Sequence, residues 1–315
     1  MRKSHTPMEN PQPALKLIDR PKVSLIVCTR NRASRLMTFL KHCSYLEAPT
    51  GGWELVLVDN ASADETAQVA RSFETSAQME FRYVYAPRPG LARARNAGIA
   101  GARGDVLAFT DDDCYPRADY LTAVAAVFAE HDPGFAGGRV LLHDPSDAKI
   151  TVQDSETPSL VPPRSVVRAG SIHGANMAVS REVFEAIGGF DPHLGAGTPA
   201  VAGEDTEYLA RAAWAGWQGR YDPRPVVFHD HGRKPGPDEA RLRRGYDYGR
   251  GAYFASMLLR PEARRAYLAA WYRRARKSTA RQIARELVGA ATYLKERAMH
   301  SDRAPYFERR TGMRN

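Results

Sequence analysis

The stretch "DVLAFTDDDCYP" (105–116) sets an apolar run directly against three consecutive carboxylates. Asp111, Asp112 and Asp113 repel one another, so folding alone gives no reason to place them at the end of a buried strand. The neighbouring sequence says what kind of strand this is. "VSLIVCT" (23–29) is a continuous β-branched run of the sort that is buried on both faces, and "WELVLVDN" (53–60) is a second. "FRYVYAP" (81–87) continues the alternation as another strand, and each of the three is followed by a segment with helical spacing. Ser62, with Glu65 three residues on, fits a capping box for the second helix. Four strand units between residues 23 and 111 predict a parallel sheet with helices on both faces.

In such sheets ligands gather beyond the carboxyl ends of the strands. Those ends carry Thr29-Arg30-Asn31, Asp59-Asn60 and the acidic trio, so three polar endings converge on one crevice. A nucleotide suits it: Asp59 can accept from a base N–H, and Arg30 or Arg95 can meet a base or a phosphate. Carboxylates spaced Asp-x-Asp match Mg²⁺ or Mn²⁺, which take one or two carboxylates and complete their shell with phosphate oxygens and water. The other reading of the spacing is a solvated acidic turn with a helix-capping Asp. Glu204 and Asp205 open the helical segment "GEDTEYLARAAWAGW", where acidic residues either complement the helix dipole or supply a general base. His229 and His231 alternate on "PVVFHDH" (225–231), so both can face one side, and a neutral imidazole is a third ligand for Mn²⁺.

The remaining features bound the class. Hydrophobic residues make up 43% and charged residues 26% of 315, as in ordinary globular proteins. Cys28, Cys43 and Cys114 are an odd, widely spaced set, which argues against a disulfide framework and for a reducing compartment. Residues 1–21 lack the apolar core of a secretory signal and are expected to be a disordered leader, and no segment reaches the ~20 apolar residues of a membrane span. Residues 1–233 hold 25 Lys+Arg against 28 Asp+Glu, a balance of −3, whereas 234–315 hold 20 against 8, a balance of +12. The tail reads as basic helices after a "GRKPGP" linker, with Tyr267, Leu268, Trp271, Tyr272 and Ala275 on one face and Ile283, Leu287 and Leu294 as another stripe. That composition predicts contact with an anionic membrane surface, or a homodimer interface. Nucleic-acid binding is the competing class for a pI near 9.5, but the tail carries no zinc-finger or RNP pattern and the sheet region is slightly acidic. The polar, Pro-bearing stretch 144–169 reads as a long loop of the kind that acts as a lid or specificity element.

Taken in order, "VSLIVCTRNR", "LVLVDNASAD", "GLARARNAGI", "AFTDDDCYP", "HGANMAVSREVFEAIGGFD", "GEDTEYLARAAWAGW" and "VVFHDH" resemble a family 2 glycosyltransferase of bacterial polysaccharide or glycolipid type. The resemblance covers roughly residues 22–233. It implies an α/β chain of GT-A fold: a Rossmann-like, mixed but mostly parallel sheet flanked by helices, over 22–233, with a basic helical C-terminal extension over 234–315. It implies that Thr29 and Asp59 hold the nucleoside base, that Arg95 reaches base or phosphate, and that Arg30, Asn31 and Asp112 complete the nucleotide-sugar set. Asp113 would bind the metal, with Asp111 serving the ribose or a metal-bound water and His229, or else His231, as third ligand. Gly174, Ala175 and Asn176 would cradle donor sugar or acceptor. Asp205 would be the catalytic base of an inverting transfer, supported by Glu204. The implied activity is transfer from a nucleoside-diphosphate sugar, UDP favoured, to a hydroxyl of a saccharide or lipid-linked acceptor. The implied setting is the cytoplasmic face of the cell membrane. A metal-dependent nucleotidyltransferase would share the sheet and the carboxylates without needing the Glu-Asp helix. One departure is Cys114, which stands where the family often has another acid.

Overall fold

The computed structural model describes residues 22–300, so the expected leader over 1–21 lies outside the described residues. The chain runs β1 (Val23–Thr29), α1 (Ala33–Cys43), β2 (Trp53–Asp59), α2 (Thr66–Glu74), β3 (Glu80–Tyr85), α3 (Leu91–Gly101) and β4 (Val106–Asp111). It continues with β5 (Cys114–Pro116), α4 (Tyr120–His131), β6 (Phe135–Leu142), β7 (Ser159–Val161), β8 (Met177–Ser180) and α5 (Arg181–Ile187). Then follow α6 (Glu204–Trp214), β9 (Gly219–His229), α7 (Pro237–Leu258), α8 (Pro261–Ala275) and α9 (Ala280–Met299). One sheet holds all nine strands in the order β3-β2-β1-β4-β8-β6-β9-β5, with β7 paired to β9.

Strands β1 to β4 pair in parallel, as the alternation of strands and helices predicts. Alternate residues then feed opposite faces: Leu25, Val27, Leu55 and Leu57 join one core with α1 and α4, while Ile26, Val56 and Val58 join the other with α3 and α6. Strand β8 enters antiparallel to both β4 and β6, which makes the sheet mixed. Because β1 is flanked by β2 on one side and β4 on the other, connections leave it in opposite directions. The crevice at such a switch point opens at Thr29 and the acidic trio.

The predicted Ser62–Glu65 capping box does not form. Ser62 Oγ instead accepts from the Asn31 backbone N–H, and Asp64 Oδ1 takes the Thr66 N–H. The basic tail is helical as expected, yet its apolar residues divide. Tyr253, Phe254, Met257 and Tyr267 are buried in the same cluster as Phe190 and Tyr208. On α8, Trp271 docks inward as well, whereas Leu268 and Tyr272, predicted to share its face, are 59% and 64% exposed. Helices α7 and α9 touch backbone to backbone, because a Cβ at Gly251 would run into the Glu286 main chain and one at Gly289 into Tyr248. No helix among the described residues is long and apolar enough to cross a membrane.

Candidate active site

A cavity of about 620 Å³ opens at the carboxyl ends of β1 and β4, within the range of small-ligand sites. Asp112 is tied down: its Oδ2 accepts from Thr29 Oγ1 at 2.6 Å and its Oδ1 from Arg32 Nη1 at 2.7 Å. Asp113 has a divided environment. Its Oδ2 faces Arg32 at 3.0 Å and Arg35 at 3.6 Å, while its Oδ1 faces His229 Nε2 at 3.5 Å. Burial works to raise the Asp113 pKa, but the His229 contact and the two arginines outweigh it and bring it down to about 2. Asp111 lies deep in the cleft with a third of its side-chain surface open to the cavity, and burial raises its pKa against the pull of Arg95.

One ligand atom each of Asp113, Cys114 and His229 lies within 4.8 Å of the others. Burial, with Asp111 and Asp113 beside it, raises the Cys114 thiol pKa well above its ordinary value, so sulfur offers no thiolate. What remains is a carboxylate oxygen, an imidazole nitrogen and the nearby Asp111, a donor set that fits Mn²⁺ or Mg²⁺. Strand β5 makes this set possible. Its residue Cys114 pairs antiparallel with His229 of β9, which brings the histidine beside the trio.

The second half of the site is organised by Arg95, on α3 and 3% exposed. Its Nη1 donates to Glu204 Oε1 at 3.0 Å and its Nη2 to the Gly174 carbonyl at 3.4 Å, with Asp111 Oδ1 at 3.7 Å. The guanidinium also sits 5.5 Å over the Phe190 ring. Arg95 is therefore committed to protein carboxylates, not held free for a base. Glu204 is pushed up to about 7, by burial first and by Asp205 second, with Arg95 opposing. Asp205 Oδ2 accepts from the Gly174 N–H at 2.9 Å, and its Oδ1 from the Thr206 N–H at 2.6 Å and the Thr206 hydroxyl at 3.2 Å. A carboxylate has about four acceptor sites, so one is left for a proton from outside. A side chain at Gly174 would displace this group, because a Cβ there would stand 2.7 Å from Arg95 Nη2 and 3.2 Å from Asp205 Cβ.

The cavity wall brings together Thr29, Arg30, Arg95, the acidic trio, Gly174, Glu204, Asp205 and His229 from the sequence reading. It does not include Asn31, Asp59, Asn176 or His231. Asp59 is 1% exposed, with its Oδ1 taken by the Ser62 N–H and its Oδ2 by Tyr83 Oη. Asn31 Oδ1 binds the Ala63 N–H, which clamps two loops together. Asn176 Nδ2 bridges the Arg139 and Pro225 carbonyls. His231 is consumed by main-chain contacts to Ala148 and Arg233.

Sequence reasoning gave no individual role to Arg32, Asn60 or Tyr246. Asn60 lines the cavity, and its buried Oδ1 has no hydrogen-bond partner. Such an acceptor awaits a donor. Its signal was the Asp59-Asn60 strand ending, of which only Asp59 was given a role and only Asn60 lines the cavity. Tyr246 reaches the cavity from α7, where burial and the nearby Asp205 raise its pKa, and nothing local in the sequence ties it to the strand ends.

The model of glycosyl transferase family 2 matches residues 24–188, just over half of the chain. The chain belongs to that family. Glycosyltransferase AglE of Haloferax volcanii is 26% identical over 80% of this chain and 80% of its own. Among solved structures, the mannosyltransferase PcManGT of Pyrobaculum calidifontis, in complex with GDP-Man and Mn²⁺, superposes with a TM-score of 0.61. That match has 21% identity and covers 91% of this chain and 76% of the other. TarS 1–349 of S. aureus in complex with UDP-GlcNAc gives 0.55 at 14% identity, covering 87% and 92%. The fold is thus GT-A and the protein a family 2 glycosyltransferase. The family match stops at Gly188, ahead of α6 and β9.

Proposed function

We propose that this family 2 glycosyltransferase is a cation-dependent, inverting enzyme. It transfers a sugar from a nucleoside-diphosphate donor to a hydroxyl of a saccharide or lipid-linked acceptor in cell-surface polysaccharide or glycolipid synthesis. The observation that carries the reading is one cavity with two chemically distinct ends: Asp111, Asp113 and His229 at one, the Arg95–Glu204–Asp205 group at the other. Bound there, Mn²⁺ or Mg²⁺ would neutralise charge on the departing diphosphate. Asp205, with one free acceptor site, takes the proton of the attacking acceptor hydroxyl. Gly174 and Thr206 hold its carboxylate in place for that, and Arg95 keeps Glu204 beside it. One displacement by that hydroxyl from the face opposite the leaving group inverts the anomeric centre. Asn60 supports nucleoside recognition as a buried acceptor without a partner.

UDP is the first probe and GDP the second, since the two superposed structures carry one donor of each kind. Calorimetry of UDP and GDP with and without Mn²⁺ tests the cation. Asp113→Ala should remove the Mn²⁺-dependent part of the affinity, and an unchanged affinity refutes it. Asp205→Asn should abolish transfer and leave nucleotide binding intact, and equal loss of both would reject its role as base. Release of nucleoside diphosphate from nucleotide sugar separates this activity from nucleotidyl transfer, which releases pyrophosphate from a triphosphate.

A peripheral site of action at an anionic membrane surface, on the cytoplasmic side, is supported by α8. Exposed Leu268 and Tyr272 stand there among exposed Arg265, Arg273 and Arg276. Leu268→Asp with Tyr272→Asp should abolish co-sedimentation with phosphatidylserine vesicles. Retention of binding rejects this surface.

A further inference from the structure

The stretch 144–169 bears no motif, yet its first turn is fastened to the loop that follows β9. Lys234 Nζ donates to Asp144 Oδ2 at 2.7 Å, Ser146 Oγ at 2.7 Å and Asp147 Oδ1 at 2.6 Å. The Gly232 N–H binds Asp147 Oδ2 at 2.9 Å, and the Ala148 N–H binds the Arg233 carbonyl at 2.8 Å. His231 completes the clasp: its Nδ1 accepts from the Arg233 N–H at 3.0 Å, so its Nε2 carries the hydrogen toward the Ala148 carbonyl at 3.1 Å.

Three residues beyond Ala148, Thr151 reaches the cavity wall in a left-handed backbone conformation, φ +55°. Its Oγ1 lies 2.5 Å from the Ile150 carbonyl and 3.0 Å from His229 Nδ1. The hydroxyl has a single hydrogen, and a carbonyl oxygen can only accept, so that hydrogen goes to Ile150. Toward His229 the hydroxyl therefore presents a lone pair, and Nδ1 must be the N–H of the ring. In the neutral ring this leaves Nε2 bare, facing Asp113 Oδ1 at 3.5 Å. Two lone-pair donors aimed at each other are unfavourable unless a proton or a metal cation lies between them, and a bound divalent cation takes that place.

We propose that Thr151 is a positioning residue that fixes His229 in its Nδ1–H form and thereby makes Nε2 a ligand for the divalent cation shared with Asp113. This rests on the cation-dependent reading above. Partners of this kind orient metal-bound histidines, and their loss typically weakens metal binding about 10- to 100-fold. The segment from 144 to 151 then serves the cation site as its outer support, held in register by Lys234 and His231. Valine at 151 would keep the branched shape and lose the acceptor, whereas serine would keep the acceptor.

The test uses the full chain in four forms: wild type, Thr151→Val, Thr151→Ser and His229→Ala. Long-range ¹⁵N–¹H spectra of the metal-free protein at a fixed alkaline pH report which ring nitrogen of His229 carries hydrogen. Electron paramagnetic resonance of MnCl₂ titrations gives Mn²⁺ affinity without reference to turnover. The wild type should show the Nδ1–H form. Thr151→Val should populate the Nε2–H form and bind Mn²⁺ about 10- to 100-fold more weakly, and Thr151→Ser should restore both readouts. The double variant Thr151→Val/His229→Ala should bind no more weakly than His229→Ala alone. An Nε2–H ring in the wild type overturns the proposal without recourse to any variant. So does an unchanged Mn²⁺ affinity in Thr151→Val when Asp113→Ala and His229→Ala both weaken it, and in that case the cation site itself stands. Unchanged affinity in Asp113→Ala shows instead that the cation reading has failed, and the role of Thr151 with it.

Discussion

Replacing Arg95 with methionine tests whether this guanidinium holds the two ends of the site together. The side chain keeps its reach and loses its charge. Arg95 is 3% exposed, with Glu204 at 3.0 Å and Asp111 at 3.7 Å. At an effective dielectric constant of ~20 those separations correspond to about 5.5 and about 4.5 kcal/mol of attraction. Much of that is offset by the cost of burying the cation, which the variant no longer incurs. The net loss expected from breaking such a buried group is about 3–5 kcal/mol. The penalty comes from carboxylates left without a counter-charge, so it must depend on pH. Glu204, already raised to about 7, rises further without Arg95, and at about pH 5 it takes up a proton and the repulsion falls. Urea unfolding at about pH 8 and about pH 5 is the assay, with a large loss at the first and a much smaller one at the second. A loss under about 1 kcal/mol at pH 8, the size of an exposed ion pair, or an equal loss at both values, would refute the reasoning.

Gly174→Ala inserts a methyl group against Arg95 and Asp205, whose positions are pinned by their partners, so one of them must shift. Misplacement of about 1 Å costs on the order of 100-fold in kcat, and nucleotide affinity measured by calorimetry should change little. In Glu204 the folded-state pKa is raised from 4.5 to about 7, so its contribution to stability is present below the lower value and lost as pH rises through the higher. The stability of Glu204→Gln relative to wild type should therefore increase between about pH 4.5 and about pH 8 in thermal unfolding. Truncation after Arg233 should yield aggregated protein by size-exclusion chromatography. It uncovers the core beneath Tyr253, Phe254, Met257 and Tyr267, each worth about 1.5–3 kcal/mol of burial. Surface substitutions on α8 are for that reason the cleaner probe of membrane contact.

The parallel half of the sheet and its crevice were legible in the sequence because they depend on local pattern. β-branched runs such as 23–29 make buried strands, and polar residues at their carboxyl ends must meet where the strand order reverses. Asp111, Asp113 and His229 were singled out on strands, Glu204 and Asp205 at a helix opening, with the family resemblance supplying their order, and all five line one cavity. Which member of a polar pair faces the cavity was not legible. Asp59 and Asn60 differ by one position on a strand, and only the contacts of Tyr83 and Ser62 turn the aspartate into a structural tie and leave the asparagine open. His229 and His231 are parted in the same way by Thr151 and the Lys234 clasp. The tail was legible as basic helix, but its amphipathic faces were not assignable, because burial of Tyr267 and exposure of Leu268 are set by how α8 packs against Tyr253 of α7 and Trp214 of α6. Composition and periodicity act over a few residues and determine which elements form. The partners of a side chain are chosen by chain segments as distant as Arg95 and Glu204, and that choice belongs to the packed structure alone.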